Sequence, residues 1–317
     1  MFKIIRRNNL STEKIRSFSN FVKVVEVGPR DGLQNEKNIV PTKVKIELID
    51  KLTESGLRTI EATSFVSPKW VPQMSDNAQV YQNINKKPNV SYPVLVPNAK
   101  GLDDALKVGV KEIAIFSAAS EAFSKKNTNC SIDAAVEKAK LVIEEALKHD
   151  IKVRGYISCV VGCPYEGEIK STIVANLAAA LLQYGCYEIS LGDTIGVGSP
   201  NKINNLLHDL ENVSSDMKKF ALHCHDTYGQ GLVNVYAGLE RGIRVFDSSV
   251  AGLGGCPYAN GATGNIATED LLYLLHGQGL ETGVDLNEIV KIGEFICSQL
   301  QRRNQSKAGV AILSKNN

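Results

Sequence analysis

Short apolar runs alternate with longer segments of helical periodicity along most of the chain after residue 20. Runs rich in β-branched and aromatic residues predict buried parallel strands, and the segments between them predict the helices that connect such strands. The predicted strands cover residues 22–27, 59–64, 92–97, 112–118, 152–160, 187–194, 220–226 and 245–250. Because eight strand–helix units follow one another, we predict the α/β class and a (β/α)8 TIM barrel.

Three segments show clear helical patterns: residues 42–55, 131–149 and 287–302. The first stops at Gly56, and the second opens with Ser131, a residue type that caps helix N-termini well. The third predicts an amphipathic helix packed outside the barrel. No Gly/Ser linker divides residues 21–285. We therefore expect one catalytic barrel, 21–285, followed by a C-terminal helix and tail, 286–317.

An open, doubly wound parallel sheet is the main alternative to the barrel. Such folds bind a nucleotide phosphate with a G-x-G-x-x-G turn after the first strand. The chain instead reads VGPRDGLQ at that place, and this difference favours the barrel.

Composition argues against several classes of partner. The 317 residues carry a formal charge of +2, with 43% hydrophobic and 22% charged residues, so we expect neither nucleic acid nor a membrane surface as a partner. No apolar run approaches the roughly 20 residues that a transmembrane helix needs. The seven cysteines show no disulfide spacing, which favours a reducing compartment.

The N-terminal segment, residues 1–20, differs from the rest of the chain. It contains five Lys or Arg against the single acid Glu13, with three serines and an apolar side. This composition predicts a cleavable mitochondrial presequence, and hence a protein of the mitochondrial matrix. A basic tail without a targeting role is the alternative.

Unusual polar residues collect at the predicted carboxyl ends of the strands, where barrel enzymes place their catalytic groups. They are Arg30, Asp31, Glu61, Arg154, Asp193, His223, His225 and Cys256. A lone Glu61 or Arg154 inside a strand is often half of a buried ion pair. The prediction of a site therefore depends on their convergence on one rim.

A paired histidine motif predicts a metal site. His223 and His225 stand two apart in a strand, so both imidazoles leave the same face while Cys224 leaves the other. Barrel closure brings Asp31 next to the last strands, and Asn265 follows the eighth. This donor set suits Mg²⁺ or Mn²⁺ better than structural zinc, which prefers thiolates. Zn²⁺ remains an alternative.

A glycine-rich loop follows the last strand, and a lone cysteine, Cys256, lies within it before Pro257. Glycines let the main chain approach a ligand closely and adopt positive φ. We therefore predict a functional thiol on a loop that closes over substrate. An ordinary flexible connection with a buried cysteine is the alternative.

Several long segments resemble the hydroxymethylglutaryl-CoA lyase family of metal-dependent barrel lyases. They are VEVGPRDGLQNE (25–36), IEATSFVSPKWVPQM (60–74), YISCVVGCPYEG (156–167), LGDTIGVGSP (191–200), LHCHDTYGQG (222–231) and SVAGLGGCPYANGATGNIATED (249–270). The resemblance spans about residues 22–300. It implies a lyase that splits (S)-3-hydroxy-3-methylglutaryl-CoA into acetyl-CoA and acetoacetate, in ketone-body formation and leucine degradation.

The resemblance also implies roles for single residues. It implies the metal ligands Asp31, His223, His225 and Asn265 and the catalytic residues Arg30, Glu61, His223 and Cys256. We add Asp31 to the catalytic residues because it would lie beside the metal, within reach of the substrate hydroxyl. Asp31 and His223 are the two candidates for the general base. We assign substrate contacts to Arg30, Gln34, Lys37 and Arg154, with Lys37, Lys69 and Lys125 near the CoA phosphates. We expect a homodimer that binds a small acyl-CoA substrate.

Two other functions compete with the lyase. A Claisen-condensing synthase of the isopropylmalate or homocitrate type would use the same metal barrel, but the first-strand motif here is RDGLQNE rather than RDGEQ. A non-catalytic protein that binds metal and acyl-CoA would lack the acid and base residues at the rim. The chain carries those residues, so the lyase is favoured.

Overall fold

The fold is a parallel sheet surrounded by helices, and a computed structural model describes it for residues 20–255 and 264–316. Within these ranges, nine parallel strands form one sheet. They are β1 (Lys23–Glu26), β2 (Thr59–Ile60), β3 (Thr63–Ser64), β4 (Val94–Leu95), β5 (Glu112–Ala118), β6 (Lys152–Ser158), β7 (Glu188–Asp193), β8 (Phe220–Cys224) and β9 (Val245–Ser248). Each of them lies inside one of the predicted strand segments.

The sheet closes on itself because β2 and β3 are two halves of one barrel strand. β2 pairs with β1, and β3 pairs with β4. Between the halves, the Glu61 amide donates to the Glu26 carbonyl and the Ala62 amide donates to the Pro93 carbonyl. The other strands pair in chain order, and β9 returns to β1. The predicted (β/α)8 barrel is therefore confirmed.

Helices connect the strands and cover the outside of the barrel. The described ranges contain α1 (Thr42–Glu54), α2 (Asn77–Asn83), α3 (Ala99–Lys107), α4 (Glu121–Thr128), α5 (Ile132–Lys148), α6 (Ser171–Tyr184), α7 (Pro200–Glu211), α8 (Gly231–Glu240), α9 (Thr268–Gly277), α10 (Leu286–Leu300) and α11 (Lys307–Asn316). The predicted cap of α5 is confirmed, since Ser131 Oγ accepts from the Ala134 amide at 3.2 Å. Among these helices, none combines the length and the apolar composition needed to cross a bilayer.

Two elements differ from the sequence-based prediction. β4 has only two of the six predicted residues because Pro93 and Pro97 flank it, and proline cannot donate to a ladder. The predicted tail after residue 302 contains a second helix, α11. Asp270 accepts hydrogen bonds from Ser306 Oγ and from the Lys307 and Ala308 amides. A carboxylate from α9 thus caps α11, which the local sequence alone does not reveal.

The two faces of the barrel wall carry different chemistry. The main apolar core lies between the wall and the helices and includes Phe246, Leu222 and Cys224, so Cys224 points away from the predicted metal ligands as expected. The barrel interior instead contains a buried ion pair between Arg154 and Asp247. Polar side chains line the barrel interior from this pair to the carboxyl ends of the strands.

Candidate active site

Asp31 lies in a tight turn that follows β1. Residues Gly28–Gly32 form a π-helical turn, and the amides of residues 30–32 all donate to the Val27 carbonyl. Oδ1 of Asp31 accepts from Arg30 Nη1 at 2.9 Å and from Gln34 Nε2 at 3.1 Å. Oδ2 accepts from Asn265 Nδ2 at 2.7 Å. Short π-helical segments often occur at functional sites, and this one brings a carboxylate to the barrel mouth.

The two histidines at the end of β8 face Asp31. Their Nε2 atoms are 3.3 Å apart, and His223 Nε2 lies 4.0 Å from Asp31 Oδ2. Both histidines are almost fully buried. One ligand atom from each of Asp31, His223 and His225 lies within 4.8 Å of the others. The structure therefore brings together three of the four predicted metal ligands as a possible metal site.

The donor set fits a divalent cation. Two imidazole Nε2 atoms at 3.3 Å either repel through their lone pairs or share one proton, whereas a cation between them would satisfy both. Asn265 Oδ1 is buried and has no hydrogen-bond partner. A half-turn of the Asn265 amide would exchange Oδ1 for Nδ2 beside Asp31, since the two atoms are distinguished only by their hydrogen bonds. Asn265 then becomes the fourth oxygen or nitrogen donor.

The electrostatics favour the metal-binding protonation states of Asp31 and His225 but not that of His223. Burial opposes the charge of Asp31, but Arg30 and the two imidazoles outweigh it and lower the pKa of Asp31. Burial and the neighbouring His223 lower the pKa of His225 to about 4. An ionised carboxylate and a neutral imidazole are the forms that coordinate a metal. Burial opposes the charge of His223, but Asp247 and Asp31 outweigh it and raise the pKa of His223, so a metal ion would have to displace a proton from this imidazole.

Arg30 lies beside the possible metal site, and Glu61 and Tyr156 hold its side chain in place. Its Nε and Nη2 atoms contact Glu61 Oε2 at 2.8 and 2.7 Å, and Tyr156 donates to the same oxygen at 3.1 Å. The Arg30 guanidinium also lies 5.4 Å from the centre of the Tyr156 ring. These contacts give Arg30 one fixed orientation. Tyr156 was not predicted, although it shares a strand face with Arg154 by its spacing of two.

Arg154 lies deeper inside the barrel than predicted. It was expected at the rim, but it lies inside the barrel with 1% exposure. Its Nε donates to Glu188 at 2.7 Å, and its Nη1 and Nη2 donate to the two oxygens of Asp247 at 3.1 and 2.7 Å. The rim position is therefore wrong, because Arg154 is the third residue of β6 and its partners lie equally deep. A substrate contact for Arg154 stays a prediction without support from its position.

Asp247 is the residue that sequence reasoning missed most clearly. Its Oδ2 accepts from Ser190 Oγ at 2.7 Å and lies 3.2 Å from His223 Nδ1. A single acid inside the apolar run 245–250 was the available signal. Its spacing of two from Val245 and Ser249 put it on one strand face, but which face lines the barrel interior was not evident from that run alone.

The predicted substrate-binding residues are distributed over the rim. Gln34 contacts Asp31 through the hydrogen bond already described and is half-buried. Lys37, Lys69 and Lys125 are exposed on the segments that follow β1, β3 and β5. Their outward position suits contact with charged groups of a large ligand, and their role stays a prediction.

Cys256 lies outside the described residues. Just before it, Gly254 adopts φ +127°, a conformation that favours glycine. The next residue is held by a hydrogen bond, which Asn35 Nδ2 donates to the Gly255 carbonyl at 3.2 Å. Asn265, on the other side of the undescribed segment, lies in the site. The predicted thiol loop therefore begins and ends beside the possible metal ligands.

Comparison with known proteins adds a family to this geometry. The family model described as HMGL-like matches residues 21–296. The chain belongs to the HMGL-like family. All the possible metal ligands, and the Arg30–Glu61 pair beside them, fall inside the HMGL-like match.

Similar proteins agree along almost the whole chain. A relative from Bos taurus, named hydroxymethylglutaryl-CoA lyase, mitochondrial, is 57% identical over 303 residues, which cover 95% of this chain and 93% of the relative. The crystal structure of hydroxymethylglutaryl-CoA lyase from Pseudomonas aeruginosa aligns with TM-score 0.92 and 54% identity, over 94% of this chain and 99% of that one. An HMG-CoA lyase from Acinetobacter baumannii, solved with coenzyme A and 3-methylmalate, aligns with TM-score 0.89 and 34% identity, covering 94% and 97%.

Proposed function

We propose that this protein is a carbon–carbon lyase that cleaves (S)-3-hydroxy-3-methylglutaryl-CoA into acetyl-CoA and acetoacetate. The observation that carries the proposal is the cluster of Asp31, His223 and His225 beside Arg30 at the mouth of an HMGL-like barrel. The Bos taurus relative named hydroxymethylglutaryl-CoA lyase, mitochondrial, supports the proposal because the match covers 95% of this chain and 93% of the relative.

A divalent cation, Mg²⁺ or Mn²⁺, is proposed to bind Asp31, His223, His225 and Asn265. The oxygen and imidazole donors and the lack of a thiolate among them support this choice over a structural zinc ion. When bound, such an ion polarises a coordinated hydroxyl and lowers its pKa, which suits removal of a proton from the C3 alcohol.

Arg30 is proposed to stabilise the negative charge that develops on the thioester oxygen. Cleavage of the C2–C3 bond leaves an enolate on the acetyl-CoA fragment, and a fixed guanidinium is suited to hold that charge. The contacts with Glu61 and Tyr156 support this role because they orient Arg30 before substrate arrives. Little reorganisation is then needed as the charge appears.

Proton transfer requires a base at the C3 hydroxyl and an acid at the enolate. Asp31 and His223 are the two candidates for the base, since both lie beside the proposed cation site. Cys256 is proposed to give the proton to the enolate and, with its glycine-rich loop, to keep water out. The ends of that loop next to Asn35 and Asn265 support this arrangement.

The acyl-CoA substrate is proposed to lie across the barrel mouth. Gln34 contacts Asp31 and would face the acyl end, while Lys37, Lys69 and Lys125 would meet the CoA phosphates outside the mouth. The complex of the Acinetobacter baumannii protein with coenzyme A supports CoA as the carrier.

An assay of the two products tests the proposed function. Purified protein with HMG-CoA and Mg²⁺ should release equal amounts of acetoacetate and acetyl-CoA, and EDTA should abolish the reaction. Consumption of acetyl-CoA with a 2-oxo acid would instead identify a condensing synthase. Binding of HMG-CoA without turnover would identify a non-catalytic binding protein.

A matched pair of cysteine variants tests the thiol. Cys256→Ala should cut turnover severely and leave Mn²⁺ affinity near normal, because the thiol is not among the proposed ligands. Cys130→Ala is the control, since Cys130 lies between α4 and α5 and contacts Thr128. Normal turnover in Cys256→Ala would contradict the role of the thiol.

We further propose a homodimeric enzyme of the mitochondrial matrix, with residues 1–20 as the presequence, 21–285 as the catalytic barrel and 286–317 as a C-terminal helix and tail. The basic N-terminal composition and the mitochondrial name of the Bos taurus relative support the compartment. A fluorescent protein fused to residues 1–20 should enter mitochondria. Analytical ultracentrifugation should give the mass of a dimer, and a monomer at working concentration would contradict the homodimer.

A further inference from the structure

Asp247 lies directly beneath the proposed cation site and accepts hydrogen bonds with both oxygens. Oδ1 accepts from Arg154 Nη2 at 2.7 Å, and Oδ2 accepts from Arg154 Nη1 at 3.1 Å and from Ser190 Oγ at 2.7 Å. His223 Nδ1 lies 3.2 Å from Oδ2. Asp247 is 1% exposed, so these contacts are shielded from bulk solvent.

The contacts of Asp247 decide which nitrogen of His223 carries a proton. A carboxylate bound by a guanidinium in bidentate fashion can only accept hydrogen bonds. His223 Nδ1 must therefore donate, and in the neutral imidazole the lone pair is then left on Nε2. Nε2 is also the atom that faces Asp31 and His225.

We propose that Asp247 is a positioning residue, which keeps the proton of His223 on Nδ1 and presents Nε2 to the cation. The proposal rests on the proposed function, because it assigns a purpose to the cation site of that function. Carboxylates that orient a metal-binding histidine from its far side act on ligand orientation and basicity. Arg154 in turn fixes Asp247 through two hydrogen bonds, so an ion pair deep in the barrel orients one of the proposed ligands at the mouth.

The same geometry bears on the general base. A His223 that donates through Nδ1 and coordinates through Nε2 has no lone pair left to accept the C3-hydroxyl proton. Asp31 is then the remaining candidate for the base, through a carboxylate whose Oδ1 accepts from Arg30 and Gln34 and whose Oδ2 faces His223. With the cation bound, Asp247 therefore makes His223 a ligand rather than a base.

NMR of the unchanged protein reports the tautomer directly, and a variant serves only to assign the signals. The chain has five histidines, so ¹⁵N labelling of histidine alone gives a simple spectrum, and His223→Gln assigns the His223 signals by their loss. In the presence of Mg²⁺, we expect His223 with a protonated Nδ1 and an unprotonated Nε2. A proton on Nε2, or the absence of any Mg²⁺-dependent change at His223, would overturn the proposal.

A pair of acid-to-amide variants tests the effect on affinity. Asp247→Asn can donate to His223 Nδ1 and reverse the tautomer, so Mn²⁺ affinity, measured by the loss of its free EPR signal, should fall about 10- to 100-fold. Glu188→Gln is the matched control, since Glu188 is equally buried and contacts the same Arg154 without touching His223. Equal losses in both variants would show a general disturbance of the network and overturn the proposal.

The two proposals fail in different ways. Both measurements use the cation alone, so they are independent of substrate. Normal Mg²⁺ binding with the expected tautomer but without cleavage of HMG-CoA would contradict the proposed function only. Cleavage of HMG-CoA together with the opposite tautomer would contradict the role of Asp247 only. If Asp247→Asn does not fold, the tautomer in the unchanged protein decides.

Discussion

Two groups of buried carboxylates support the barrel mouth, and they do so with different partners. Asp247 and Glu188 lie inside the barrel and are bound by the guanidinium of Arg154. Glu26 and Glu269 lie near the ends of β1 and β9 and are bound by neutral donors. Glu26 accepts from the Gly28 and Val250 amides and from Thr268 Oγ1, and Glu269 accepts from the Ala251 amide.

The partner, rather than the depth, decides the charge of each carboxylate. Burial opposes the ionisation of Asp247, but Arg154 and His223 hold its pKa well below its usual range. Burial without a cation raises the pKa of Glu26 from 4.5 to about 7 and that of Glu269 to about 8. Asp247 therefore supports the mouth as an ionised carboxylate, whereas Glu26 and Glu269 hold neighbouring turns together as acids that keep a proton more readily than usual.

The largest effect should come from removing the guanidinium of Arg154, which binds Asp247 and Glu188. Arg154→Met removes the guanidinium from two buried carboxylates and leaves Asp247 with only Ser190 and His223 and Glu188 with only Lys23, so the free energy of unfolding in urea should fall by about 3–5 kcal/mol. Lys23→Met is the control, because Lys23 also contacts Glu188 but its side chain is 27% exposed, and it should cost under about 1 kcal/mol. Similar costs in the two variants would contradict the distinction between the groups.

The second largest effect should be a pH dependence of the unfolding free energy, caused by Glu26 in the second group. Because the pKa of Glu26 is raised on folding, the native state keeps a proton that the unfolded state has lost. Stability should therefore fall as pH rises from 4.5 to about 7, by about 3 kcal/mol for this carboxyl. Glu26→Gln mimics the protonated acid and should remove that part of the slope in urea unfolding at several pH values.

Asp247→Asn is the contrasting variant for the pH series. Asp247 is itself ionised in both states between about pH 5 and 9, but it also raises the pKa of His223. Its loss should therefore lower stability more at about pH 5 than at about pH 9, where the neutral His223 no longer gains from the charge of Asp247. The neutral character of Glu26 would be disproved if the stability of the unchanged protein rose from pH 5 to 8 and that of Glu26→Gln rose by the same amount.

A smaller effect should come from crowding the Glu26 carboxylate. A Cβ at Gly28 would lie 2.5 Å from Glu26 Oε1 and 3.2 Å from Ser249 Oγ. Gly28→Ala should therefore lower the unfolding free energy by about 1–3 kcal/mol. Gly277→Ala is the control, because a methyl group added there would meet no atom within 4 Å, and it should be neutral or slightly stabilising. A tolerated Gly28→Ala would show that the turn can move away from Glu26.

The smallest effect should come from removing one donor of the charged group. Ser190→Ala deletes the 2.7 Å hydrogen bond to Asp247 and leaves Arg154 and His223 in place. Thermal unfolding should reveal a loss of about 1 kcal/mol, with Mn²⁺ affinity unchanged. A marked loss of Mn²⁺ affinity would mean that Ser190, and not Arg154 alone, orients Asp247.

The barrel and the metal cluster were predictable because they depend on short-range patterns. The bounds of β5 were predicted to the residue, since the apolar run 112–118 matches the strand. The spacing of two between His223 and His225 put both imidazoles on one face, as the structure confirms. Asp31 was predicted to lie beside them because a closed barrel makes the first strand a neighbour of the last.

Residues that act through long-range contacts were not predictable. The depth of Arg154 depends on the register between β6 and its neighbours, and Asp247 lies 93 positions further along the chain. The helix α11 depends on a cap from Asp270 in another helix. In each case, the partner is far away in sequence and no local pattern identifies it.

The sequence by itself determined where the strands and the three clearly periodic helices lie, which side chains share a strand face, and that Asp31, His223 and His225 lie at the carboxyl ends of the strands. These features follow from backbone geometry and apolar periodicity, which act over a few residues. Only the tertiary structure decided that β2 and β3 close the ring, that Asp247 stands behind His223, and which buried acids are charged. Charge in a buried site depends on the surrounding partners and on the solvent removed, and both are set when distant segments pack together.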